Sequence, residues 1–178
     1  YYVTITNQMG CTTTDQINVE IDNIQLQSPL IEEPLCHGDA NGSISVSTNG
    51  YPPYSYSWSN GASGSSLNNI SAGNYSVTVT DDIGCQDIAD FNVDEPPLLT
   101  AQFQNLIQPE CDGVGYGTAE VEANGGVPGY TYFWSDGNTG ALNDELHTGF
   151  SEVTITDYNG CDTSLTVEML APGGLVTN

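Results

Sequence analysis

The chain repeats itself with a period of about 76 residues, and this period constrains its fold more than any other feature. The matching pairs are Trp58 with Trp134 and Cys85 with Cys161 at 76 residues, and Cys36 with Cys111 at 75 residues. The sequence leading into each Trp also recurs, as Gly-Tyr-Pro-Pro-Tyr-Ser-Tyr-Ser-Trp and as Gly-Val-Pro-Gly-Tyr-Thr-Tyr-Phe-Trp. Self-similarity at a fixed spacing is the signature of tandem structural units.

The closing motif of the repeat places the boundaries. Val-Thr-Val-Thr-Asp before Gly84-Cys85 recurs as Val-Thr-Ile-Thr-Asp before Gly160-Cys161, and as Val-Thr-Ile-Thr-Asn before Gly10-Cys11. We therefore predict the C-terminal part of a preceding repeat over residues 1–23 and complete repeats over 24–96 and 97–172. Residues 173–178 would form a linker into a following repeat. The chain is expected to be a piece of a longer array.

Within each repeat, apolar residues alternate with polar ones. Ile44 and Val46 alternate with Ser, and Val77 and Val79 alternate with Thr. A period of two is typical of β-strands with one buried face. Short strands of this kind, separated by Asn-Gly, Asp-Gly and Pro-Pro turns, predict an all-β fold of tandem antiparallel β-sandwiches, each of about 75 residues.

The charge of the chain excludes several classes of partner. It has 23 Asp and Glu, no Lys and no Arg, and a formal net charge of -23. Nucleic-acid binding needs a basic surface, and an anionic membrane would repel this chain, so we expect neither partner. No stretch has the roughly 18 consecutive apolar residues of a membrane span, so we also expect no direct membrane insertion. Ten Tyr and a hydrophobic fraction of 38% argue against a disordered acidic tail.

The unit from Cys36 to Cys85 resembles the SprB-type repeat. The resemblance rests on Asn-Gly-Ser-Ile, on Gly-x-Pro-Pro-Tyr-x-Tyr-x-Trp-x-x-Gly, on Ala-Gly-x-Tyr-x-Val-x-Val-x-Asp and on the final Gly-Cys. It extends over both complete units and the N-terminal fragment. The second unit departs from the pattern, because Gly129 replaces a Pro and Ser151 stands where Tyr75 stands.

This resemblance implies a fold, a location and a role. SprB-type repeats occur in tandem in very long cell-surface adhesins of gliding bacteria, exported by type IX secretion. The implied fold is Ig-like, the implied location is extracellular at the cell surface, and the implied role is that of a stalk or filament without catalytic activity. The implied partners are neighbouring repeats of the same chain, other surface proteins or surface glycans.

The cysteines of an exported chain are expected to form disulfides. Each repeat has an early cysteine (Cys36, Cys111) and a late one (Cys85, Cys161), and Cys11 is the late cysteine of the truncated repeat. We favour pairing within repeats, Cys36–Cys85 and Cys111–Cys161, with Cys11 bonded to a cysteine upstream of the chain. In an Ig-type sandwich, however, these two positions lie at opposite ends, which separates the sulfurs. The alternative is a bond between repeats, Cys36–Cys161.

Turns rich in acids and amides offer oxygen ligands for Ca²⁺. The weak candidates are Asp39, Asn41, Asp81, Asp82 and Asp157. No segment has the spacing of a dedicated calcium loop, and Asp and Asn at turns usually hydrogen-bond their own backbone. We therefore expect no metal and no cofactor, with Ca²⁺ as the one candidate ion.

The aromatic side chains of the strand that ends at each Trp allow two interpretations. They are a buried core, as the strand-C Trp is in Ig domains, or a platform on which sugars stack. We favour the core, formed by Trp58, Trp134, Tyr56, Tyr132, Val77, Val79, Val153 and Ile155. The preferred function is therefore a structural repeat, and the alternative is a β-sandwich module that binds carbohydrate or protein. Nothing in the sequence indicates an enzyme.

Overall fold

The structure is a computed structural model that describes residues 2–16, 24–110 and 116–170. The predicted linker at 173–178 lies outside the described residues. The fourteen described strands are β1 (Tyr2–Thr6), β2 (Thr12–Gln16), β3 (Gln25–Glu32), β4 (Gly42–Asn49), β5 (Ser55–Trp58), β6 (Ser66–Ile70), β7 (Gly73–Thr80), β8 (Gln86–Val93), β9 (Thr100–Ile107), β10 (Gly117–Asn124), β11 (Thr131–Trp134), β12 (Leu142–Leu146), β13 (Gly149–Thr156) and β14 (Asp162–Met169). Within these ranges no helix is long and apolar enough to cross a membrane.

The strands after β2 form two sets with the same order. In residues 24–96 the sheets are β3-β4-β6 and β5-β7-β8, and in residues 97–172 they are β9-β10-β12 and β11-β13-β14. These orders correspond to strands A-B-E and C-F-G of an Ig domain without strand D. The predicted all-β fold of tandem Ig-like repeats is therefore confirmed. β1 and β2 pair as a separate antiparallel hairpin.

The chain divides into two compact units. The first comprises Tyr1–Pro29, Val46–Ser65 and Ser76–Asp90, and the second comprises Leu30–Ser45, Ser66–Tyr75 and Phe91–Asn178. In the first unit, β5 pairs with β7 through Trp58 opposite Val77 and Tyr56 opposite Val79.

The second unit contains a complete sandwich core between its two three-stranded sheets. Its buried members are Ala119, Val121, Trp134, Leu146, Val153, Ile155, Val167 and Met169. The Trp134 indole donates its Nε1–H to the carbonyl of Gly140 at 2.8 Å, so the polar edge of the ring is satisfied inside the core. The Phe103 ring lies 6.4 Å from the Trp134 ring, between centroids.

The predicted core residues occupy the positions that alternation indicates. Trp58 and Trp134 are buried, and so are Val77, Val79, Val153 and Ile155. Tyr56 and Tyr132 are half-buried. The indole of Trp58 also donates to a backbone carbonyl, that of Gly64 at 2.9 Å, as Trp134 does to Gly140. An indole held this way inside the sandwich is not available as a flat exposed platform for sugars.

Candidate functional site

A disulfide connects the two complete repeats. Cys36, just before β4, is bonded to Cys161, which follows β13, with 5.7 Å between their Cα atoms. Both residues lie in the second compact unit. The favoured pairing, Cys36–Cys85 and Cys111–Cys161, is wrong, because Cys36 and Cys161 have each other as partner and Cys85 is free. The alternative bond between repeats is the one that forms, and Cys111 lies outside the described residues.

The segment around Cys36 is a short turn fixed by its neighbours. The backbone N–H of Asp39 donates to the Cys36 carbonyl at 3.1 Å, which closes the turn. The N–H of Gly38 donates to Glu95 Oε2 at 2.6 Å. His37 Nδ1 lies 3.2 Å from Glu95 Oε1 and forms an ion pair with it whenever the imidazole is protonated. Glu95 follows β8, so the end of the first repeat holds its early cysteine in place.

The partner, Cys161, lies at the end of a turn organised by one buried carboxylate. Asp157 Oδ1 accepts the backbone N–H of Asn159 and of Cys161, each at 2.9 Å. Asp157 Oδ2 accepts the N–H of Val127 at 2.8 Å, which ties the turn to the loop before β11. The peptide groups of Asp157 and Cys161 also pair, with Asp157 N–H donating to the Cys161 carbonyl at 3.0 Å.

These contacts favour the ionised form of Asp157. Burial of the carboxyl opposes ionisation, but the backbone N–H groups of Val127, Cys161 and Asn159 outweigh it, so the pKa of Asp157 lies below its ordinary value. A carboxylate that accepts three backbone N–H groups holds the turn in one conformation, and it thereby fixes the position of Cys161 at the end of the turn.

A side chain from this turn also contacts the opposite partner. The amide Nδ2 of Asn159 donates to the carbonyl of Leu35 at 2.8 Å, next to the disulfide. The covalent bond is therefore accompanied by a hydrogen bond between the same two segments. The sequence analysis did not single out Asn159 or Glu95. The position of Asn159 is occupied by Ile83 and Met9 in the other two copies of the turn, so the repeat pattern gives no signal for it.

The same turn occurs in the first repeat without a disulfide. Asp81 Oδ1 accepts the N–H of Ile83 at 3.1 Å and of Cys85 at 2.8 Å. The peptide groups of Asp81 and Cys85 pair at 3.0 Å, as those of Asp157 and Cys161 do. Asp81 Oδ2, although buried, has no hydrogen-bond partner among the described residues. Cys85 is half-buried and free.

A third copy of the turn lies between β1 and β2, where Asn7 replaces the Asp. Asn7 Oδ1 accepts the N–H of Met9 at 3.0 Å and of Cys11 at 2.9 Å. Cys11 is free and exposed in the described chain. Three turns with one hydrogen-bond pattern thus each present a late cysteine.

The side chains of four calcium candidates, Asp39, Asn41, Asp81 and Asp157, take part in hydrogen bonds. Asn41 Oδ1 accepts the N–H of Leu35 at 3.1 Å, and Asn41 Nδ2 donates to Asp39 at 3.3 Å. Asp81 and Asp157 accept turn N–H groups, as described above. In the part of the chain that the structure describes, no three His, Cys, Asp or Glu side chains come together in a way that would hold a metal ion.

A polar cavity lies at one edge of the second repeat. It is lined by Asp136, Asn138, Asn143, Glu145 and His147. The amide of the buried Asn143 donates to Asp136 Oδ2 at 2.8 Å. Burial opposes ionisation of Asp136, but donors from Asn138 and Asn143 outweigh it and keep its pKa below the ordinary value. The aromatic ring of Tyr116 packs edge-on against His147, with 4.9 Å between ring centroids.

A known family model matches part of each complete repeat. The family model of the SprB repeat matches residues 31–63 and again residues 108–139. The matches start five residues before Cys36 and three residues before Cys111, and the resemblance to the SprB-type repeat is therefore confirmed. Among curated proteins, no sequence matches the chain.

Several solved structures with tandem domains are similar to the chain at low sequence identity. The three N-terminal domains of the highly immunogenic outer capsid protein (Hoc) of bacteriophage RB49 share 15% identity at a TM-score of 0.48, over 85% of this chain and 59% of that chain. The N-terminal eight Ig domains of Down Syndrome Cell Adhesion Molecule share 13% identity at a TM-score of 0.48, over 97% of this chain and 28% of that chain. Domains 3–5 of Drosophila OTK share 15% identity at a TM-score of 0.38, over 97% of this chain and 70% of that chain.

Proposed function

Because the chain carries SprB repeats at two places, we propose that it is a structural section of the stalk of a secreted bacterial cell-surface adhesin, in the service of gliding motility or surface attachment. The observation that carries the proposal is the Cys36–Cys161 bond, which joins one repeat to the next. A bond of this kind adds nothing to a catalytic site, but it strengthens an array whose units must stay together.

Two further features support an extracellular, non-catalytic role. Disulfides persist in oxidising compartments, outside the cytoplasm. The chain has no Lys or Arg, so it offers no cleavage site to trypsin-like proteases, and its net charge of -23 keeps copies apart. By the resemblance, export would proceed through type IX secretion.

The proposal is tested on intact cells of the source bacterium. An antibody raised against the chain should label unpermeabilised cells, and deletion of the type IX translocon should abolish the surface label. A cytoplasmic protein probed in parallel controls for lysis. Labelling that requires permeabilisation would overturn the proposal, whereas surface label that survives the deletion would refute the export route alone.

The alternative is a module that binds glycan or protein, with Ca²⁺ as a cofactor. The polar cavity around Asp136 and Asn143 is the feature that favours it. Binding of the isolated chain on a glycan array would displace the stalk as the preferred function. Because no three acidic or other metal-binding side chains come together in the described residues, we expect EDTA to leave the melting temperature unchanged, as measured by circular dichroism with and without 1 mM Ca²⁺ (on the order of physiological extracellular levels). A drop of several degrees on chelation would show that a metal is bound.

A further inference from the structure

The disulfide suggests a pairing rule for the cysteines of the array, which we call the register. It joins the early cysteine of one repeat, Cys36, to the late cysteine of the repeat that follows, Cys161. Applied to the next position upstream, the same register pairs Cys85, the late cysteine of the first repeat, with the early cysteine of a preceding repeat. That early cysteine is not in this chain, whose N-terminal fragment contains only the late Cys11.

We propose that Cys85 is the bonding site for the early cysteine of a preceding SprB-type repeat, so that the array is stapled at every junction. This inference deepens the proposed stalk role and rests on it for the presence of a further repeat. The geometry of the two turns is the first argument. Cys85 N–H donates to Asp81 at 2.8 Å and Cys161 N–H donates to Asp157 at 2.9 Å, so the two cysteines lie at the end of equivalent turns.

The turn of Cys85, which has no disulfide, also lacks one hydrogen bond that the turn of Cys161 has. Asp157 Oδ2 accepts the Val127 N–H, whereas Asp81 Oδ2 is buried, at 6% exposure for the residue, without a partner. The loop before β11 lies close to Asp157, since a Cβ placed on Gly126 would be 2.5 Å from Asp157 Oδ2. The equivalent loop before β5 lies farther from Asp81, since a Cβ placed on Gly50 would be 3.7 Å from Asp81 Oδ2. A buried carboxylate oxygen without a donor is costly.

The third argument concerns the surface beside the thiol. Ile83 is 61% exposed in the unbonded turn, while its counterpart Asn159 is half-buried and donates to Leu35. Leu35, which precedes the early cysteine, is itself 54% exposed. At the Cys85 junction we therefore expect an apolar contact between Ile83 and the residue before the partner cysteine, in place of the amide hydrogen bond. The occupant is a segment with the character of 34–39, a short turn that carries one cysteine.

Bond formation is a two-electron oxidation. The Cys85 thiol and the partner thiol lose two electrons and two protons in total, and an external disulfide accepts them. With oxidised glutathione as acceptor, one new protein disulfide forms and two molecules of reduced glutathione leave. A disulfide oxidoreductase of the cell envelope would do the same by exchange.

The test uses the full chain extended by one repeat, residues 1–98 followed by residues 24–178. This junction keeps the natural spacing, because Ile24 and Leu99 are both buried and stand 75 residues apart. The protein is folded in a glutathione redox buffer, and its free thiols are counted by alkylation and mass spectrometry. Bonds are mapped with pepsin at acid pH, where disulfides do not exchange. We expect Cys36 of the first copy to bond Cys85 of the second copy.

A matched pair of variants makes the outcome decisive. With Cys85→Ser in the first copy and the Cys36–Cys161 bond of the second copy in place, the proposed register leaves two free thiols, Cys11 and Cys111, whereas a competing Cys36–Cys85 bond within the first copy would leave four. With Cys85→Ser in the second copy, the expected counts are reversed, four for the proposed register and two for the competing bond within the first copy. Four free thiols in the first variant would overturn the proposal.

Two further readouts separate the possible failures. The Cys36–Cys161 bond of the second copy reports that each variant has folded, because it forms between segments that are distant in sequence. Failure of the Cys85 bond in a folded protein would leave the surface location untouched, since that is tested by labelling of cells. Loss of surface label, in turn, would refute the stalk without affecting the disulfide register.

Discussion

Asp157 and Asp81 occupy the same position in two copies of one turn, but only Asp157 has donors on both carboxylate oxygens. Its pKa is lowered because three backbone N–H groups prefer the ionised form. The stabilisation from this group is complete above the pKa of an unfolded Asp, about 3.9. It is lost as the pH falls through the lower pKa of the folded state.

We predict that Asp157→Asn destabilises the second repeat by about 1–3 kcal/mol at neutral pH, because the amide NH₂ would face the Val127 N–H. The difference from the wild type should shrink as the pH falls below about 4, first because the carboxyl is protonated in the unfolded state and, at lower pH, because it is protonated in the folded state too. The measurement is urea unfolding followed by Trp134 fluorescence, in a Trp58→Phe background that leaves one Trp in the chain.

Asp81→Asn is the matched control, read through Trp58 in a Trp134→Phe background. The amide NH₂ can take the place of the oxygen that has no partner, so we expect a smaller loss than at Asp157. Equal losses at the two positions would contradict the assignment of the Val127 contact as the difference between the turns.

The residue types of the site could be predicted from sequence, but the pairing of the cysteines could not. The repeat indicates which cysteines are equivalent and that they are early or late in each unit. Which sulfurs meet depends on where the ends of consecutive repeats lie in space. Cys36 is held by Glu95, at the exit of the first repeat, and there it meets the turn of Cys161. No local pattern in the sequence encodes that contact.

The corner between β6 and β7 differs between the repeats. The Tyr75 hydroxyl donates to the Ser71 carbonyl at 2.9 Å, which links the start of β7 to the end of β6 as the tyrosine corner of Ig domains does. In the second repeat Ser151 stands at the equivalent position, and its neighbour Phe150 is exposed. The corner of the second repeat therefore lacks the tyrosine hydroxyl.

We predict that Tyr75→Phe destabilises the first repeat by about 1 kcal/mol, because it removes this hydrogen bond and keeps the ring. The measurement is thermal unfolding followed by Trp58 fluorescence in a Trp134→Phe background. Tyr158→Phe is the control, since its ring is 78% exposed, and no change is expected there. A loss at Tyr75 no larger than that at Tyr158 would show that the corner contributes nothing.

At the level of elements, the alternating pattern predicted the strands that carry the core. The segments of Ile44, Trp58 and Val77 lie in β4, β5 and β7. The strands β6 and β12 are harder to predict, because their alternation is broken. In β6, Leu67 and Ile70 are buried with two exposed Asn between them, and Asn69 adopts a φ of 55°. A residue in the left-handed conformation inside a strand interrupts the alternation of buried and exposed side chains, so the sequence pattern predicts neither a strand nor a helix.

The net negative charge of the molecule lowers the stability of its repeats through repulsion among the acidic side chains. All 23 acids share one sign, and no Lys or Arg offsets them. Repulsion among exposed carboxylates is screened over about 10 Å at 0.1 M salt. We predict that the melting temperature rises by about a few degrees between 20 and 500 mM NaCl, because the salt screens this repulsion. Glucose at equal osmolarity is the control, and a flat response to NaCl would show that the acids are too far apart to interact.

The disulfide is the strongest single constraint on the unfolded chain. It closes a loop with a sequence separation of 125 residues. By loop-closure entropy a crosslink of this span contributes about 5 kcal/mol. We predict that Cys161→Ser lowers the melting temperature well beyond the effect of Cys85→Ser, which removes a free thiol. Equal melting temperatures for the two variants would show that the bond does not constrain the unfolded state.

The bond between Cys36 and Cys161 also determines which part of the chain can bear a pulling force. Tension that enters at Cys36 leaves through the sulfur atoms at Cys161, so the residues between them cannot be drawn out while the bond is intact. At roughly 3.5 Å per residue, a separation of 125 residues hides about 430 Å of contour length. After reduction of the bond, these residues can be drawn out as they unfold under load, so the bond sets how far the chain can extend.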